Sequence, residues 1–309
     1  MTDLTLPIFT DETAAREHLE MIRWNGKPFC PHCGECEAVT KMQGESHRAG
    51  LHQCNSCRGA FTVTNGTVME SSHIPLNKWV LAFHLMCASK KGISALQIQR
   101  MLGLGSYRTA WFMVHRIREA MRSGGMAPPL GGNGKVVEID ETYIGKKKGA
   151  KVRTGAAHKH AVLTLVERDG ESRSFHVEGT SHIDVLPIIR ANIDRETRVV
   201  TDEAPIYKHL GNVFKSHSTV HHGKGEYVRG NVHTNTVEGF YSVFKRGMKG
   251  VYQHCGEQHL HRYVAEFDFR YSNRAALGVN DEARTLKAIR GAEGKRLMLQ
   301  GSQTGKTLN

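Results

Sequence analysis

Two Cys-x-x-Cys pairs constrain this chain more than any other feature. Cys30 and Cys33 form one pair, Cys54 and Cys57 the other, with 20 residues between them. Each pair bends so that two thiolates face one ion, and two pairs complete a tetrahedron, which is the zinc-ribbon spacing. A module of about 40 residues builds too small a core to stand alone. One structural Zn2+ on Cys30, Cys33, Cys54 and Cys57 would substitute for that core, with binding linked to folding. Four thiolates leave no open position, so such an ion is not catalytic. Cys36 offers a C-x5-C alternative to Cys33, and His32 and His52 are weaker substitutes. Cys87 and Cys255 sit in helical patterns and read as buried apolar residues. An odd count of seven cysteines, five within residues 30–57, disfavours a disulfide framework and suits a reducing compartment.

With 309 residues the chain has room for about two domains. Hydrophobic residues at 39% and charged residues at 23% exclude a disordered or collagen-like chain. No run of about 18 apolar residues is present, which argues against a membrane span. The start, MTDLTLPIFTDETAAREH, lacks the basic-then-apolar order of a secretory signal. A cytoplasmic protein is expected. The formal charge of +12 points to a polyanionic partner, because cations at a phosphate surface release condensed counterions. A solvated basic surface is the plainer alternative.

The pattern divides the chain into six stretches. Residues 1–27 predict a helical lead-in capped by Asp11. Residues 28–72 hold the ribbon. Residues 73–122 predict three helices with a Gly103-Leu104-Gly105 turn before the third, in a helix-turn-helix-like order. Arg108, Arg116 and Arg118 on that third helix are candidate DNA contacts, although a plain three-helix bundle would look similar. Residues 123–134 read as a linker. Residues 135–275 alternate strands and helices: strands from Lys135, at HAVLTLVE and at SRSFHVEG, a helix near His182–Ile193, strands at RVVTD and KSHSTVHH, then helices from Thr236 and His259. Residues 276–309 predict one more helix and a polar tail. Within that tail GSQTGKT, residues 301–307, approaches a phosphate-binding loop but has three residues between its glycines rather than four, and is set aside.

Two strands carry acids where an acid is costly. Asp140 lies within Val136–Ile144, and Asp202 ends Val199-Val200-Thr201. A buried carboxylate needs a cation or donors, and α/β sheets place their sites at the C-terminal ends of strands. Each Asp alone reads as well as the cap of a turn. Glu238 sits 36 residues after Asp202, beside the apolar face Val237, Phe240, Tyr241 and Phe244, and Lys245 follows seven residues on.

Asp140, Asp202, Glu238 and Lys245 together resemble the constellation of DDE transposases. The blocks HTNTVEGFYSVFKRGMKGVYQH and HLHRYVAEFDFRYSNR, behind a zinc ribbon, resemble bacterial insertion-sequence transposases of the ISXO-like family over about residues 15–275. The resemblance implies an α/β, ribonuclease-H-like mixed-sheet domain over 135–275. It also implies cleavage and joining of double-stranded DNA at inverted terminal repeats, with a homo-oligomer pairing the ends. Two Mg2+ ions, or Mn2+, would be held by Asp140, Asp202 and Glu238, with Lys245 on a nearby phosphate. Some family members place Asn at the third position, which leaves Asn235 as an alternative or helper; His233 is a further candidate near the site or a turn residue. Lys146, Lys147, Lys148, Lys151 and Arg153 after the Asp140 strand, and Arg246 and Lys249 after Glu238, are expected along the DNA. A ribonuclease-H-like nuclease without strand transfer and a zinc-ribbon transcription regulator are the alternatives.

Overall fold

The computed structural model describes residues 2–124, 127–152 and 154–298. Arg153 and the 301–307 segment lie outside the described residues. No described helix is long and apolar enough to cross a membrane. The chain divides into two compact units.

The first unit opens with α1 (Pro7–Thr10) and α2 (Glu12–Trp24). Asp11 caps α2 by accepting from the Ala14 amide at 2.7 Å, and Asn25 ends it in the left-handed region. Three short strands, β1 (Val39–Lys41), β2 (His52–Cys54) and β3 (Ala60–Phe61), form an antiparallel sheet. His52 in β2 does not face the cysteine cluster; it packs between Trp24 and Phe61. Three helices follow: α3 (Leu76–Ala88), α4 (Ala95–Leu102) and α5 (Tyr107–Met121). The fully exposed residues of α5, Tyr107, Arg108 and Thr109, all lie in its first turn.

The second unit is built on a five-stranded mixed sheet. Its strands are β4 (Val136–Ile144), β5 (His160–Glu167), β6 (Ser172–Val177), β7 (Arg198–Thr201) and β8 (Ser216–Thr219), with α6 (His182–Asn192) between β6 and β7. The spatial order is β6-β5-β4-β7-β8. β4, β5 and β6 pair antiparallel, whereas β4–β7 and β7–β8 pair parallel. A small hairpin, β9 (Val228–Arg229) and β10 (Val232–His233), leads into α7 (Asn235–Gly247), and α8 (Glu257–Ser272) follows.

Strand alternation separates two apolar layers. Val137, Ile139, Leu163 and Leu165 face α6, whose Val185 and Ile189 complete that layer. Ile144, Val162 and Val166 face α7 and α8 through Val237, Phe244, Val264 and Phe267. Each such side chain contributes roughly 1.5–3 kcal/mol when fully buried. Gly247 belongs to this second layer: a Cβ there would collide with the Phe267 ring and the Lys91 carbonyl. The five-stranded mixed sheet with helices on both faces is the ribonuclease-H-like architecture expected for this part of the chain.

The packing of two segments was not foreseen from the sequence. Leu130, in the stretch read as a linker, is buried in the first layer, and its backbone bonds Asn192 and Asp194 as a short parallel bridge. The final helix, α9 (Asp281–Arg290), belongs to the first unit. Its Arg284 donates to the Cys87 carbonyl at 2.9 Å, and its Thr285 meets His84 at 3.3 Å.

Candidate active site

The cysteine module is the simplest site to read. Cys30, Cys33, Cys54 and Cys57 bring their sulfurs within 4.8 Å of one another, with Cys30–Cys57 and Cys33–Cys54 both at 3.6 Å. A tetrahedral ion with bonds of about 2.3 Å spaces its sulfurs about 3.8 Å apart, so the cluster fits Zn2+. Backbone amides of His32, Cys57 and Gly59 point at sulfur at 3.4–3.5 Å, orienting the thiolates. Gly34 and Arg58, each directly after a pair, take φ of 81° and 62° and turn the chain back. Cys36 and His32 stand outside the cluster.

In the second unit the acids converge at the seam between β4 and β7. The parallel register matches Val136 with Arg198 and Glu138 with Val200. The same offset carries Asp140 to the level of Asp202, just where the pairing ends. The chain runs from β4 to one side of the sheet and returns on the other, so this seam is a topological switch point, at the carboxyl ends of parallel strands. Asp202 is fixed by the Ala204 amide at 3.0 Å, and Asp140 accepts from the Glu141 amide at 2.8 Å.

Glu238 comes from the first turn of α7. Its carboxylate accepts from the Thr234 hydroxyl at 2.8 Å and stands 3.7 Å from His222 Nε2. No ion pair joins it to Lys245 among the described residues; the Lys245 ammonium lies 5.7 Å from the centre of the Tyr241 ring instead. Burial first, then the charges of Glu141, Asp202 and Glu238, push the Asp140 carboxyl up to about 8. The three acids, from three separate elements, therefore share one electrostatic environment. Their oxygens do not all fall within 4.8 Å of one another. A donor set of carboxylates without thiolate suits hard divalent cations.

The helix carrying Glu238 is held by residues that sequence reasoning passed over. Glu138 is fully buried in β4, two residues before Asp140. Its carboxylate accepts from the amides of Thr236 at 2.7 Å and Val237 at 2.9 Å, and from the Thr236 hydroxyl at 2.8 Å. These are free amides of the first turn of α7, where a negative charge also meets the positive end of the helix dipole. Arg168 donates to Glu138 at 2.6 Å and to the His233 carbonyl at 2.9 Å. His233 Nδ1 lies 3.3 Å from Glu138, so this histidine faces the anchoring pair. The Tyr241 hydroxyl donates to the Asp140 carbonyl at 2.6 Å. The signal for Glu138 was present: an acid between Val137 and Ile139 poses the same burial problem as Asp140.

The cationic candidates separate by exposure. Arg108, Lys146, Lys148, Lys151, Arg246 and Lys249 are exposed, and Lys147 is half-buried with its ammonium on the Glu178 carbonyl. Arg116 and Arg118 are not surface groups. Arg118 is 1% exposed, and Arg116 donates to the carbonyls of Glu70 and Leu297 and stacks over Phe112. The Arg116 guanidinium joins segments of the first unit and Arg118 is buried, so neither is placed to contact DNA as the sequence suggested. Asn235 is exposed at the first position of α7.

Comparison with known proteins bears on the whole arrangement. Residues 129–272 match the model of the ISXO2-like transposase domain, and residues 10–59 match that of the transposase zinc-ribbon domain. The chain carries an ISXO2-like transposase domain preceded by a transposase zinc ribbon. It is also similar to an uncharacterized protein in the transposable element ISH50 of Halobacterium salinarum, with 27% identity over 285 residues covering 86% of this chain and 93% of that protein. The transposase domain contains Asp140, Asp202 and Glu238, and the ribbon domain contains all four clustered cysteines.

Proposed function

We propose that this transposase binds the ends of its insertion sequence and cuts and joins DNA strands at a site formed by Asp140, Asp202 and Glu238. The single observation that carries the reading is the convergence of these acids at the β4–β7 seam, with the Asp140 carboxyl raised to about 8 by burial and by its neighbours. Asp140, Asp202 and Glu238 would together hold two Mg2+ or Mn2+ ions. Bound there, the ions would activate an oxygen nucleophile and stabilise the phosphorane and the leaving oxygen. Thr234 and His222 orient the Glu238 carboxylate. Lys245 neutralises a DNA phosphate beside the acids, and the exposed Lys146, Lys148, Lys151, Arg246 and Lys249 extend that positive surface along the duplex. Arg108 on the open turn of α5 contacts the element end. Two or more copies pair the ends in a synapse. Nothing in this scheme requires a covalent enzyme intermediate.

The test is magnesium-dependent nicking and strand transfer on DNA carrying the element ends. Glu238→Gln, Asp140→Asn and Asp202→Asn each abolish both steps while end binding persists, because an amide cannot supply the missing charge. Asn235→Ala slows the reaction about 10–100-fold, the scale of losses at groups that support a metal site. An active Glu238→Gln with a dead Asn235→Ala would move the third ligand to Asn235. Nicking without joining by the unaltered chain would point to a nuclease, and end binding without either step to a regulator.

A further inference from the structure

A second group of metal-binding side chains lies in the catalytic unit, apart from the acids. His160 opens β5, His176 lies near the end of β6, and Glu257 is the first residue of α8. The antiparallel register pairs Val162 with His176, which places His160 and His176 on the same face of the sheet, towards α8. One nitrogen or oxygen from each of the three residues lies within 4.8 Å of the other two. His160 Nδ1 stands 3.5 Å from Glu257 Oε1, and the two imidazole rings meet edge-on with centroids 5.4 Å apart.

The His160 ring is the independent pointer. Its side chain is 5% exposed, and its Nδ1 is shut off from solvent with no hydrogen-bond partner among the described residues. A buried polar nitrogen in that state is costly unless something occupies its lone pair. Glu257 faces it without a hydrogen bond, and a second imidazole completes a triangle. Tetrahedral zinc with bonds of about 2.0–2.1 Å spaces its ligands about 3.3 Å apart, close to the 3.5 Å observed between His160 and Glu257. Two imidazoles and one carboxylate favour zinc or a neighbouring late transition metal over Mg2+. His160 pairs with Ile144 in the ladder and Thr164 with Asp140, four residues along. At 3.4 Å per residue the histidine lies roughly 14 Å along the sheet from Asp140, so the two sites do not share ligands.

We propose that His160, His176 and Glu257 bind a second Zn2+, distinct from the cysteine site, that fastens the first turn of α8 to the β5–β6 edge. Three protein ligands leave the fourth position to water. The ion joins two strands to the helix whose Leu260 and Val264 pack against α7.

Metal content of the full-length chain tests this. After loading with zinc and gel filtration, the unaltered chain retains two Zn2+ per molecule. His176→Ala and Glu257→Gln each retain one. Glu257 is half exposed, so its substitution does not threaten the fold. Cobalt substitution distinguishes the sites: the cysteine site gives thiolate charge-transfer bands, the histidine site only ligand-field bands. His176→Ala and Glu257→Gln remove the latter and leave the former. One Zn2+ in the unaltered chain, or two in both variants, overturns the proposal.

Discussion

Val237 donates its backbone amide to the carboxylate of Glu138 at 2.9 Å, across 99 residues of sequence. The contact joins the strand that bears Asp140 to the helix that bears Glu238. Two of the three acids thus inherit their spacing from a fourth acid that touches neither DNA nor metal in the proposed scheme.

Glu138→Gln removes that charge and leaves the Arg168 guanidinium, whose side chain is 19% exposed, without its counter-ion. Breaking a buried pair in this way costs about 3–5 kcal/mol. Denaturant unfolding of the full chain measures it. A loss below about 1 kcal/mol would mean that Arg168 finds compensation elsewhere, and that the α7 start does not depend on Glu138.

Tyr241→Phe deletes the hydroxyl that bonds the Asp140 carbonyl. Stability falls by about 1–2 kcal/mol, the cost of one lost buried hydrogen bond. Strand cleavage falls further than stability explains, because α7 loses its second fixed point beside Asp140. Cleavage unchanged at a temperature where the variant is folded would show that the Glu138 contact alone positions the helix.

Asp140 makes stability depend on pH in a defined direction. Its carboxyl is raised from 3.8 to about 8, chiefly by burial and then by its acidic neighbours. Between those values the folded chain holds a proton that the unfolded chain has released. The stabilisation is therefore complete below about pH 4 and is lost as pH rises through 8, by up to about 1.4 kcal/mol per pH unit. In zinc-loaded protein without added magnesium, Asp140→Asn flattens this slope and raises the melting temperature above pH 8. A variant with the same slope as the parent would assign the effect to another group.

Cys30→Ser lowers the zinc content by one ion per chain and unfolds the ribbon, since the ion supplies much of that module's folding free energy. Cys36→Ser leaves both unchanged. Metal analysis with circular dichroism reads the two together. Full zinc content in Cys30→Ser would transfer the fourth position to another ligand.

The legible parts of this molecule are those governed by short-range rules. The ribbon follows from the spacing of Cys30, Cys33, Cys54 and Cys57, and β4 to β8, α7 and α8 from periodicity in windows of ten or so residues. Asp140 and Asp202 stood out because each ends or interrupts an apolar run. Glu138 interrupts the same run as Asp140, but its role stays hidden because its partners Arg168, Thr236 and Val237 lie 30 to 99 residues away. Arg116 and Arg118 were misread for a similar reason. Charge on a helix suggests a solvated face, but the carbonyls that receive Arg116 belong to Glu70 and Leu297, far along the chain. His160, His176 and Glu257 have no sequence motif at all; only the strand register and the start of α8 bring them together.

The place of α9 has a consequence for how the chain is made. Residues 281–290 complete the unit that residues 2–88 begin, so the part translated first is finished last. On the ribosome the first unit waits, incomplete, while the whole second unit emerges. A message cut short by a frameshift or an early stop yields a product whose leading half lacks its closing helix. If the first unit grips the element's ends as proposed, such a fragment would compete poorly for them with a chain that carries α9.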